Sequence, residues 1–142
     1  MNALEFLSLA GKLVAAPTPS EAACSTAVSR SYYACFHLAK EYLVELGFRL
    51  NRDHAVPQRL LMSAGVSAAL RTGQNLSYLQ SERVRADYEL DSRRAVDQAI
   101  ARHCVEVAHD LLTLLSECRL EQVRDAIKAG IEDYQRRMSN QP

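Results

Sequence analysis

Net charge is missing from this chain of 142 residues, in which seventeen basic residues balance seventeen acidic ones. No global field draws it to nucleic acid or to an anionic membrane, so any such binding has to be local. Cysteine is sparse and scattered. Cys24, Cys35, Cys104 and Cys118 form no CxxC pair and fall inside helical patterns, which argues against a zinc knuckle and a secreted disulfide framework and leaves them as small buried hydrophobes. No metal and no cofactor is expected. No apolar run approaches the roughly 18 residues needed to span a bilayer, and the first segment, MNALEFLSLAGKLVAAP, lacks a basic n-region. The expectation is a cytoplasmic protein with no membrane partner. Glycine and proline are also scarce, at five and four, while 48% of residues are hydrophobic, a balance that opposes disorder and suits one packed helical domain. Lysine is the rarer cation: fourteen of the seventeen are arginine, which favours bidentate phosphate contacts, although codon bias explains the same ratio.

What is present is helical periodicity. Leu4, Leu7, Ala10, Leu13 and Val14 recur at three- and four-residue steps and predict a short helix stopped by PTPS at 17–20. Ser20 is a candidate N-cap for a long helix over 21–46, with Gly47 as its left-handed C-terminal stop. After the loop FRLNRDHAVP, Pro57 suits the first turn of a third helix carrying Leu60 and Leu61 and extending towards Leu70. TGQN at 72–75 reads as a break, and Leu76, Leu79, Val84 and Ala86 then predict a fourth helix entering SERVRADYELD. Asp91 and Ser92 read as the next cap. A fifth helix is expected from Arg93 to about Cys118, and a sixth through Leu120, Val123, Ile127, Ile131, Tyr134 and Met138. Nothing strand-like competes, so the fold class is all-α, an up-and-down bundle of about five to six helices. The last helix, at about 119–138, either packs on its own bundle or binds a partner helix, and packing is the expectation.

The stretch SRSYYACFHLAK, 29–40, places polar groups in an otherwise apolar helix. At 100° per residue Arg30, His37 and Glu41 fall in one sector, with Tyr33 on its border. Arg30 and His37 are then either solvent-facing or directed into a polar cleft. Tyr33 and His37 are either half-buried packing residues or, with Arg30, one wall of a nucleotide or RNA site, where rings stack on bases and cations meet phosphate. RVRADYELD at 83–91 is the candidate opposite wall; Arg83 and Asp87 are one helical turn apart and can pair, which an exposed helix end would also do. His103 and His109 have no metal-like partner at i+4 and read as structural.

Taken together, SRSYYACFHLAKEYL, DHAV at 53–56 and RVRADYELD before a long helix resemble the HEPN domain family, over residues 20 to about 118. The likeness is to its small stand-alone subgroup, with Tyr32 and Tyr33 at the paired tyrosines, His54 at the loop histidine, and Arg83, Asp87 and Tyr88 at the Arg-x-x-Ala-Asp-Tyr positions. The resemblance implies a homodimer with a polar cleft near the motif helices, binding nucleotide or RNA. Many relatives are ribonuclease toxins paired with a nucleotidyltransferase antitoxin; a non-catalytic module supporting a nucleotidyltransferase or a defence protein is the alternative. The sequence departs from the best-known members in one respect: RVRADYELDSRR lacks the histidine that follows their motif arginine by four to six residues. Arg49 and His54 have that spacing but precede the third helix, and the motif is not transferred to them. Metal-free RNA cleavage needs a base, an acid and a cation for the phosphorane charge, roles that His54, Tyr88 and Arg83 could fill. The candidate ligand-binding set is Arg30, Tyr33, His37, Arg83 and Asp87.

Overall fold

The computed structural model describes residues 2–88 and 97–140, Tyr88 by its backbone only. Six helices account for these residues in chain order: α1 (Ala3–Ala15), α2 (Glu21–Glu45), α3 (Ala55–Met62), α4 (Ser67–Tyr88), α5 (Gln98–Cys118) and α6 (Glu121–Ser139). The all-α expectation holds, with no strand among the described residues. Local chemistry sets several of the ends. Asn2 and Glu5 form a reciprocal capping box on α1, and the Ser20 hydroxyl accepts the Ala23 amide to start α2. Gly47, at φ 98°, closes α2 while the Phe48 amide donates back to the Leu43 carbonyl.

Two boundaries differ from the sequence reading. The break between the third and fourth helices lies at 63–66, where Gly65 takes φ 74°, and α4 runs unbroken through TGQN. Thr72 is fully buried and turns its hydroxyl onto the Ala68 carbonyl, satisfying itself within the helix. Gly73 serves close packing: a Cβ there would lie 2.8 Å from the Gln58 carbonyl oxygen. Helix α5 begins at Gln98, capped by Asp97, whose carboxylate accepts the Ile100 amide. The cap read at Asp91 and Ser92, and the segment from Arg93 to Val96, lie outside the described residues.

Helix α2 is the central rod, packed against α1, α4 and α5. Tyr32, Tyr42 and Leu43 from it meet Leu76, Leu79, Leu111 and Leu115 in the core, and burying each such side chain contributes roughly 1.5–3 kcal/mol. The Tyr42 hydroxyl finds the Cys118 carbonyl at 2.9 Å, so a polar group deep in the core is satisfied. All four cysteines are free and buried. Helix α6 packs on α3 and α5 through Ile127 and Ile131, and Gly130 lets its backbone approach the Ala64 carbonyl. Among the described residues no helix is long and apolar enough to cross a membrane, and no group of histidine, cysteine or acidic side chains could hold a metal ion.

Candidate functional site

Adjacent residues on a helix point 100° apart, and the two tyrosines of α2 use that difference. Tyr32 turns into the core and is fully buried, whereas Tyr33 is half-buried and reaches the surface between α2 and α4. The Tyr32 hydroxyl lies 2.7 Å from His54 Nδ1, and the His54 ring stacks on Phe36 at 4.3 Å with the planes 6° apart. The loop holding His54 is fixed by its own side chains. Asn51 accepts the Asp53 amide and Asp53 accepts the Ala55 amide, each at 2.9 Å. His54 occupies the N-cap position of α3 without capping it by side chain, because its ring is engaged with α2 instead.

From α4, the Arg83 guanidinium lies 5.3 Å from the Tyr32 ring centre and 5.5 Å from that of Tyr33. Its Nη1 is 3.4 Å from Asp87 Oδ2, a long contact, while Asp87 Oδ1 accepts the Ser29 hydroxyl at 2.9 Å. Asp87 thereby ties α4 to α2. Burial pushes the Tyr32 phenol up to about 12, with the Arg83 charge opposing, so it is a neutral hydroxyl at physiological pH. Burial also lowers the His54 pKa below 6.5, helped by the positive charges of Arg83, His37 and Lys40 and opposed by Asp53. A neutral His54 accepting the Tyr32 hydroxyl at Nδ1 carries its proton on Nε2.

An open cleft of about 820 Å³ runs between α2 and the end of α4, lined by the α2 face from Glu21 to Tyr33 and by Ala86 and Asp87. Its hydroxyls come from Ser25, Thr26 and Ser29 and its cation from Arg30. Of the sequence-predicted ligand set, Arg30, Tyr33 and Asp87 line this cleft. Arg30 also lies over the Phe6 ring of α1, 5.0 Å from its centre. Arg83 and His54 belong to the adjoining cluster, which meets the cleft at Tyr33 and Asp87. His37 is exposed beside Tyr33, ring centres 6.3 Å apart, and does not line the cleft. The Tyr88 side chain lies outside the described residues. His103 is exposed near Glu106 and Tyr78, on another part of the molecule's helix set. Sequence reading left out Ser29, Phe36 and Lys40. Ser29 was findable, one turn before Tyr33 on the same face; Phe36 and Lys40 matter only because the loop brings His54 back to α2.

By class, this is an all-α helical bundle with an open cleft lined by a tyrosine ring, one guanidinium and several hydroxyls. The chain belongs to the HEPN domain family, whose family model matches residues 2–119 and so takes in α1 to α5. The family is a nucleotide- and RNA-related helical module. No curated protein and no solved structure gives a significant match. Helix α6 lies beyond the matched region.

Proposed function

We propose that the chain binds the phosphate of a nucleotide or of RNA at Arg83 and His54, with the sugar and base reaching into the cleft beside Tyr33. The observation that carries this reading is the Arg83 guanidinium set over two tyrosine rings beside the cleft that Tyr33 and Asp87 line. A phosphate oxygen meeting that guanidinium makes a charge-assisted hydrogen bond, roughly twice as strong as a neutral one. His54 supplies Nε2–H as a further donor, Lys40 adds positive charge, and Ser25, Thr26 and Ser29 suit a ribose.

The same geometry favours binding over proton abstraction. Nδ1 is the Tyr32 hydroxyl's hydrogen-bond partner; with the phenol as donor, the neutral His54 carries its proton at Nε2 and has no lone pair there, and Tyr32 itself is too weak an acid to take over as base. A metal-independent ribonuclease, and pairing with a nucleotidyltransferase antitoxin, are supported by family membership alone. HEPN domains commonly dimerise, which supports a homodimer here.

Fluorescence anisotropy with labelled nucleotides and short single-stranded RNA tests the reading, alongside incubation of RNA without metal. Arg83→Ala is expected to weaken binding at least about tenfold, the loss of one charge-assisted contact, while Arg83→Lys retains part of it. Wild-type affinity in a folded Arg83→Ala variant would dismiss the site. Cleavage abolished by both Arg83→Ala and His54→Ala would instead establish the ribonuclease.

A further inference from the structure

A second cleft, of about 520 Å³, opens between the loop before α3, α3 itself and α6. Its charged lining is Arg49 and Arg59, and no carboxylate lines it. Arg83, Arg85, Arg119, Arg124, Arg136 and Arg137 each sit within 4 Å of a carboxylate, whereas Arg49 and Arg59, like Arg30, Arg52, Arg71 and Arg102, have no ion pair among the described residues. The nearby acids are otherwise engaged: Asp53 accepts the Ala55 amide, and Asp133 holds Arg136 and Arg137. The rest of the lining is partly aromatic and apolar, including half-buried Tyr134 from α6 and buried Leu60 from α3. Two guanidinia beside one ring are the elements that grip a phosphate and stack a base.

Helix α6 is seated firmly enough to serve as a wall. Ile127 and Ile131 are fully buried, and Gly130 brings its backbone against Ala64. The α6 side of the cleft, Tyr134, Gln135 and Met138, lies beyond residue 119, where the family match ends. The cleft is also close to the first site. Asn51 and Val56 line it, and His54, which contacts Tyr32 and Phe36, stands between them in the chain. The Cα atoms of Asn51 and His54 are therefore at most about 11 Å apart.

Resting on the RNA reading above, we infer that this cleft is a second nucleotide subsite: Arg49 and Arg59 hold a backbone phosphate and Tyr134 stacks a base of the strand whose neighbouring phosphate lies at His54 and Arg83. A mononucleotide fills only the first site, so the subsite shows itself as a length dependence. The full-length chain is titrated with labelled adenosine monophosphate and with an eight-nucleotide single-stranded RNA. The Arg49→Ala/Arg59→Ala variant is expected to bind the mononucleotide as wild type does and the octamer at least about tenfold more weakly, with Tyr134→Ala moving the same way. All three side chains reach the surface and leave the Ile127 and Ile131 contacts in place; a thermal melt verifies the fold. Photo-crosslinking of a 4-thiouridine octamer to wild type is expected to label the α6 peptide, a readout that needs no variant.

Wild-type octamer affinity in the double variant, together with lost binding in Arg83→Ala, would overturn the subsite and leave the first site standing. No RNA or nucleotide binding by wild type would remove both. An equal effect of the double variant on a polyglutamate peptide of matched length would mark the cleft as a seat for acidic protein segments, and that too would overturn the assignment.

Discussion

The hydrogen bond between Tyr32 and His54 does two jobs at the scale of single residues: it satisfies a fully buried phenol and it decides which nitrogen of the imidazole carries the proton. Tyr32→Phe removes the donor and leaves Nδ1 unmatched, which should cost about 1–3 kcal/mol in urea unfolding. Nitrogen-15 NMR of the wild-type ring should show protonated Nε2 and bare Nδ1; a proton on Nδ1 would return His54 to candidacy as a base. In Tyr32→Phe the His54 pKa should rise, because a bond that favours the neutral ring is gone. A linked expectation concerns pH. His54 has a folded-state pKa below its unfolded value of 6.5, so the folded protein binds fewer protons there and the stabilisation is complete above about pH 6.5. It is lost as pH falls from 6.5 through the depressed folded value. Urea midpoints measured between pH 7.5 and pH 5 should therefore fall more in wild type than in His54→Gln, and parallel curves would count against a neutral, partly buried ring. At this scale the sequence spoke through helical spacing. One turn separates Arg83 from Asp87, and the pair was readable; 22 residues separate Tyr32 from His54 and 58 separate Ser29 from Asp87, and no periodicity reports a contact closed by a loop.

At the scale of elements, two helical glycines make a paired test of what holds α6 in place. Helix propensity alone would make either glycine-to-alanine change stabilising by about 0.5–1 kcal/mol. At Gly11 in α1 a Cβ meets nothing within 4 Å, so Gly11→Ala should raise the melting temperature. At Gly130 the new Cβ would collide with the Ala64 carbonyl oxygen, against backbone that cannot swing aside. Gly130→Ala should therefore reverse the sign, lowering the melting temperature and raising amide exchange along α6; a gain at Gly130 equal to that at Gly11 would mean α6 is not seated on Ala64. Helix α2 was legible because its apolar spacing agreed with its capping residues, and α1 and α6 because their apolar residues recur at three- and four-residue steps. The α3–α4 boundary was not, since TGQN has the composition of a turn, and only the partner helix explains why it stays helical. Thr72 is satisfied inside the helix and Gly73 is small for the sake of α3, so residues that elsewhere break a helix here let two helices touch.

For the whole molecule, zero net charge separates local from global electrostatics more cleanly than a basic protein would. A homodimer, if formed, should appear in equilibrium sedimentation at micromolar concentration as a mass near twice 15.8 kDa, and a clean monomer would remove the two-copy cleft implied by family resemblance. RNA binding offers the sharper test of where the charge acts. Each phosphate neutralised on a single strand contributes about −0.7 to the slope of log affinity against log salt. Arg49→Ala/Arg59→Ala should thus flatten that slope by about 1.4 if both guanidinia hold phosphates. Arg136→Ala/Arg137→Ala removes the same two charges from the neighbouring end of α6, but those arginines are paired with Asp133 and do not line the cleft. If binding followed net charge, the two double variants would flatten the slope equally. Because Arg49 and Arg59 share one recess with no carboxylate in its lining while Arg136 and Arg137 are already compensated by Asp133, the slope should change in the first variant and stay at the wild-type value in the second.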